Sequence, residues 1–103
     1  MINIVISCAA GSLKKYEALY FKKKSSIKNI VQIIGIDINK KLIDKKCYDF
    51  VESIPKPESK NYLKNLYKII KKYNAKFVFI GADEEALKIS KNINRFKKIK
   101  VKF

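Results

Sequence analysis

Three stretches of the chain are almost continuously apolar and rich in β-branched residues: Ile2 to Ser7 (INIVIS), Ile30 to Asp37 (IVQIIGID) and Lys76 to Gly81 (KFVFIG). Strict alternation would mark strands with one wet face, whereas near-continuous runs mark strands buried on both faces of a parallel sheet. Between the runs the apolar positions change to helical spacing. Leu13, Tyr16, Leu19 and Tyr20 predict the inward face of a first helix, and Leu63, Leu66, Tyr67 and Ile70 that of a second, from about Ser59 to Tyr73. A third helix is expected from Asp83 to about Asn94, with Asp83 as its N-cap and Ala86, Leu87, Ser90 and Ile93 turned inward. Lys40 to Glu58 is less regular: a helical turn over Lys40 to Lys45, a short strand over Tyr48 to Ser53, and a loop at Pro55 and Pro57 that cannot enter a sheet interior. Ile99 to Phe103 reads as a last short strand.

Alternating strands and helices predict an α/β fold, a three-layer Rossmann-like open parallel sheet of about five strands. Right-handed crossovers place the first strand near the middle and reverse the winding there, giving the order 3-2-1-4-5. At 103 residues and 12.0 kDa the chain fits one domain, residues 1–103, with no room for a second of ordinary size. Its longest apolar runs fall short of the roughly 18 residues that span a bilayer, and no basic segment precedes the first of them. A cytoplasmic protein without a membrane partner is expected. The exposed edge of the fifth strand is where a second copy could pair to form a homodimer.

The net charge of +15 comes from 23 Lys, one Arg and nine acids. Lys, Ile and Asn together make 48 of the 103 residues, the bias of AT-rich codons, and the Lys are spread over every predicted helix. A site evolved for phosphates or base edges would draw on Arg for bidentate contacts, so no specific nucleic-acid partner is expected. The chain has no His, which excludes His-based triads and acid-base chemistry, and with two Cys it shows no zinc-binding pattern. Cys8 and Cys47 are read as reduced thiols. Cys8 falls at the head of the first helix, where the dipole could lower its pKa, but without a His base packing is the favoured role.

Ligands of open α/β sheets gather at the carboxyl ends of the strands. Three predicted loops reach that edge. Ser7-Cys8-Ala9-Ala10-Gly11-Ser12 is either a small-residue approach to the amides of a helix N-terminus or a tight turn capped by Ser12. It holds one glycine and fails the three-glycine dinucleotide fingerprint, so an NAD site is not expected. Asp37, followed by Ile38 and Asn39, could meet a ribose or cap the next helical turn. Asp83, Glu84 and Glu85 could complement the dipole of the third helix or face a ligand. Together with Asp37 they place four of nine acids at one edge, a rim suited to an amine, a magnesium ion or another domain.

The order of these pieces is similar to the N-terminal domain of ATP-grasp ligases: a strand ending in a small-residue turn, then IIGIDIN, YDFVESIP, a helix, KFVFIGADEEALKIS and a final IKVKF. The likeness is greatest to carbamoyl-phosphate-synthase-like carboxylate-amine ligases, where this pre-ATP-grasp domain precedes the nucleotide-binding part. The resemblance covers nearly the whole chain. It implies a ligase that activates a carboxylate as an acyl phosphate and joins it to an amine, with ATP and magnesium held by a missing domain, in cis or as a split subunit. This chain would then carry no catalytic residue and be inactive alone. Its part would be one wall of the cleft for a small carboxylate or amine, formed by Ser7 to Ser12, Asp37, Asn39 and Asp83 to Glu85. The first turn departs from the pattern, with Gly11-Ser12 where relatives often have glycine followed by arginine.

Overall fold

The computed structural model describes residues 1–24 and 29–103. Four parallel strands, β1 (Ile2–Ile6), β2 (Val31–Asp37), β3 (Phe50–Ser53) and β4 (Phe77–Phe79), form one sheet in the order β3-β2-β1-β4. The expected central position of β1 and the reversal of winding beside it are both present. β1 and β2 alternate between two separate apolar layers. Ile4, Ile6 and Ile33 face α1 (Ser12–Lys23), while Val5, Ile34 and Ile36 face α2 (Tyr62–Tyr73) and α3 (Asp83–Lys91). Burial on both faces explains why these strands read as unbroken apolar runs.

The fifth strand is reduced to a single parallel bridge between Lys102 and Phe77, on the predicted side of β4. A 3-10 segment over Ile93–Ile99 and a left-handed turn at Lys100 (φ 51°) use up the chain where that strand was expected to start. Lys102 still exchanges hydrogen bonds with the backbone of Lys76 and Val78, so the chain end lies along the β4 edge without forming a ladder. β3 is likewise shorter than expected. Tyr48 sits before it with its ring packed over Gly35, where a Cβ would lie 2.8 Å from the ring, and its hydroxyl donates to the Ala9 carbonyl at 3.1 Å.

The helices divide by how well their stripe was legible. α2 presents Leu63, Leu66 and Ile70 inward as expected and ends at Asn74 in a left-handed cap (φ 49°), whose N–H meets the Ile70 and Lys71 carbonyls. Its start moves from Ser59 to Tyr62, since the Ser59 backbone carbonyl and hydroxyl take the Tyr62 and Asn61 N–H groups in a turn. In α1 most of the expected face points outward: Leu13 is 82% and Tyr16 63% exposed and Tyr20 is exposed too, whereas Leu19 packs partly buried on the core as expected and Ala18 is fully buried. The small Ala18 lets the helix axis approach the sheet, and Phe21 then reaches Phe79 with ring centroids 5.4 Å apart. In α3 the expected inward set Ala86, Leu87, Ser90 and Ile93 is exposed, and Glu85 and Ile89 are buried instead, followed by Phe96. Ala82, not Asp83, is its N-cap, and Gly11, not Ser12, is that of α1; neither has a side chain bonded to the helix start. The helical turn expected over Lys40 to Lys45 is two separate 3-10 turns, Lys40–Leu42 and Lys45–Cys47. Among the described residues no helix is long and apolar enough to cross a membrane.

Candidate functional site

At the carboxyl end of the sheet lies a cleft of about 360 Å³. Cys8, Asp37 and Ile38 line it from the first two strand ends, Ile54 to Glu58 from the loop after β3, and Ala82, Glu84 and Glu85 from the start of α3. Of the residues expected there, Cys8, Asp37, Glu84 and Glu85 come together. Ser7 is buried behind the cleft wall, where its hydroxyl accepts from Gly81 N–H at 2.7 Å and ties β1 to the loop after β4. Ala9, Ala10, Gly11, Ser12, Asn39 and Asp83 do not line the cleft.

The β1-α1 turn has three of its amides bonded within the fold. Cys8 takes a left-handed conformation (φ 55°), which turns the Ala9 N–H to the Ile36 carbonyl at 3.0 Å and the Gly11 N–H to the Cys8 carbonyl at 2.9 Å. Ala10 N–H goes to Oδ2 of Asp37 at 3.0 Å, and Asp37 Oδ1 also takes the Ile38 N–H at 2.7 Å. Asp37 therefore clamps the first turn to the end of β2. It does not cap the helical turn that follows, because Asn39 does so by accepting from Lys41 N–H at 3.0 Å. Three amides of this turn, those of Ala9, Ala10 and Gly11, thus have partners within the fold, whereas the first turn of α1 has no side-chain cap.

The floor is organised around Glu85, which is only 4% exposed. Its Oε2 accepts from the Tyr62 hydroxyl at 2.5 Å and its Oε1 from the Cys8 thiol at 3.3 Å. Burial, followed by the Glu85 charge, pushes the Cys8 thiol up to about 12, and the Tyr62 hydroxyl is raised by burial and the same carboxylate. The expected dipole effect on Cys8 is thus outweighed: at neutral pH this is a protonated thiol donating a hydrogen bond, not a nucleophile. Cys47, buried among Ile33, Ile43 and Tyr48, is raised by burial too and packs in the core.

Glu58 and Glu84 stand at the exposed rim and make no side-chain hydrogen bond or ion pair among the described residues. One cation, Lys56, lines the cleft with them, on the same loop as Glu58. The rim can therefore meet a small polar group carrying positive charge, above a floor whose polar atoms already have partners. Among the described residues no three acidic, His or Cys side chains stand close enough together to hold a metal ion. Sequence reasoning missed the Pro55 to Glu58 wall and Tyr62. Two prolines close together after a strand mark a loop at the same edge as the other strand ends, a signal that was present in the chain.

No family model and no curated protein matches the chain. Among solved structures it is similar to a dTDP-glucose 4,6-dehydratase from Bacillus anthracis, determined in complex with NAD, with a TM-score of 0.60 and 14% identity. The fold is Rossmann-like. The match covers 95% of this chain and 34% of that one, so the chain spans about a third of that enzyme's length. At this identity the likeness shows the fold alone.

Proposed function

We propose that this chain is the Rossmann-like N-terminal domain of an ATP-dependent carboxylate-amine ligase of the ATP-grasp kind, and that its carboxyl-end cleft is one wall of the pocket for the non-nucleotide substrate. The reading rests on one observation above all. The cleft offers free carboxylates at its rim, while the Ala9, Ala10 and Gly11 amides of the first turn are bonded within the fold. Such a surface suits the amine partner of the reaction, with Glu58 and Glu84 meeting the ammonium group and Lys56 an adjoining carboxylate. Activation of the acid as an acyl phosphate, with ATP and magnesium, falls to a domain outside these residues.

Hydroxylamine trapping tests this on the protein as isolated from its source cells, with a panel of small carboxylic acids. ATP-dependent hydroxamate is expected from the isolated protein and none from residues 1–103 alone. ATP turnover by the 103-residue chain, or no hydroxamate with any acid, would contradict the reading. A second reading is a free-standing module that takes a small ligand or a partner protein at the acidic rim of Glu58 and Glu84. A protein that binds an amine in the cleft but never forms hydroxamate would support it.

A further inference from the structure

A second cavity, of about 660 Å³, runs between α2 and the C-terminal 3-10 segment. Its chemistry is the reverse of the first. Leu63, Tyr67 and Phe96 line it, with Phe96 and Leu63 buried in the core and Tyr67 half-buried. Lys64 and Lys68 stand one α-helical turn apart beside it, and Arg95 and Lys98 stand one 3-10 turn apart on the other side, so each element brings two cations to the same groove.

No carboxylate lines the groove, and none of the four cationic side chains takes part in an ion pair or side-chain hydrogen bond among the described residues. Lys is so abundant here that one or two beside any concave surface would mean nothing. The carboxyl-end cleft makes the control, with one Lys and four acids along its wall. Arg95 adds a second distinction, because it is the chain's only Arg and its planar fork matches phosphate oxygens in pairs. The cavity is of the size that takes small organic ligands, and among its lining it has the Tyr67 ring, which packs at a tilt on Phe96 with centroids 6.1 Å apart and has the flexible Lys71 ammonium 5.8 Å from its centroid.

We propose that this groove is a binding site for a small phosphorylated ligand with a flat apolar body, of the nucleoside monophosphate kind. Arg95, with Lys64, Lys68 and Lys98, holds the phosphate, and the flat group lies against Tyr67. The site is separate from the carboxyl-end cleft and does not depend on the ligase reading.

The test is a titration of the full chain with AMP, followed by amide chemical shifts. Saturable shifts confined to residues 63–68 and 94–98 are expected. Arg95→Gln together with Lys68→Gln should weaken AMP at least about ten-fold, the loss of one or two charge-assisted hydrogen bonds. Lys23→Gln and Lys41→Gln, both exposed and outside the groove, should leave it within about two-fold. Tyr67→Leu should weaken AMP while leaving inorganic phosphate unchanged. Shifts spread across the lysine-bearing surface, or an equal loss in Lys41→Gln, would overturn the site. So would an oligouridylate that binds more tightly per nucleotide than AMP, since the groove would then be part of a general polyanion surface. Because all four cationic residues are exposed, the spectra of the variants should keep the dispersion of the folded chain, and the shift map of the unaltered protein decides the matter by itself.

Discussion

On the floor of the carboxyl-end cleft the polar groups are bonded to the fold, whereas in the groove beside α2 they are bonded to nothing else in the described chain. Asp37 holds two backbone amides and Glu85 holds a phenol and a thiol, so both carboxyls do structural work before any ligand arrives. Lys64, Lys68, Arg95 and Lys98 make no such bond among the described residues. A charged group engaged by the protein is evidence about the fold, and a free one is evidence about what comes from outside. By that measure the carboxylates of the first cleft left free for a ligand are Glu58 and Glu84 at its rim, not the buried Glu85.

The largest effect should come from the floor. Tyr62 is 1% exposed, and Tyr62→Ala should cost about 3–5 kcal/mol in urea unfolding, while Tyr62→Phe, which orphans one Glu85 oxygen, should cost about 1–3 kcal/mol. A near-neutral Tyr62→Phe would mean that Glu85 is wetter than its burial suggests. Next is Asp37→Asn. One carbonyl oxygen cannot serve both the Ala10 and Ile38 amides, so about 1 kcal/mol should be lost, with the first turn loosening in hydrogen exchange.

A smaller effect separates charge from packing. Glu85→Gln removes the charge that helps hold the Cys8 thiol protonated, so its pKa should fall and alkylation at pH 8, followed by peptide mapping, should speed up several-fold. Unchanged alkylation would assign the shift to burial alone. Away from both clefts, burial would raise Glu52, but hydrogen bonds from Lys72 and Tyr73 outweigh it and lower its pKa below 4.5. A lowered carboxyl pKa adds stability above the unfolded value that is lost as pH falls through the folded one. Acid unfolding should therefore be slightly delayed relative to Glu52→Gln at pH 5 and should converge with it at lower pH. Least of all, Lys68→Gln with Arg95→Gln should change stability by under about 0.5 kcal/mol. A marked loss would give those side chains a structural role and erase the contrast between the two regions.

How far these regions were legible follows from their physics. The strands were readable because burial on both faces leaves an unbroken apolar run, and α2 was readable because one side of it is core and the other is lysine. α1 and α3 misled because each carries apolar residues on two sides. In α1 a buried Ala18 competed with the larger Leu13, Tyr16 and Tyr20, and size in a sequence does not say which side a helix leans on. In α3 the inward position is held by Glu85, an acid that any hydrophobic pattern assigns to water. Only Tyr62 and Cys8, distant in sequence, make its burial tolerable. The cationic groove was hidden by the abundance of Lys, and it appears once the fold brings two elements together and leaves the acids out.

The account's central claim, that this is the substrate-facing front domain of a ligase, is tested most directly by the intact mass of the protein in its source cells, read with peptides mapped beyond Phe103. The account predicts a mass several times 12.0 kDa, or a stable complex of that size, with the added sequence carrying glycine-rich and lysine-bearing segments for ATP. A free protein of 12.0 kDa with no such partner would contradict it and leave a small-ligand module whose two clefts take ligands of opposite charge.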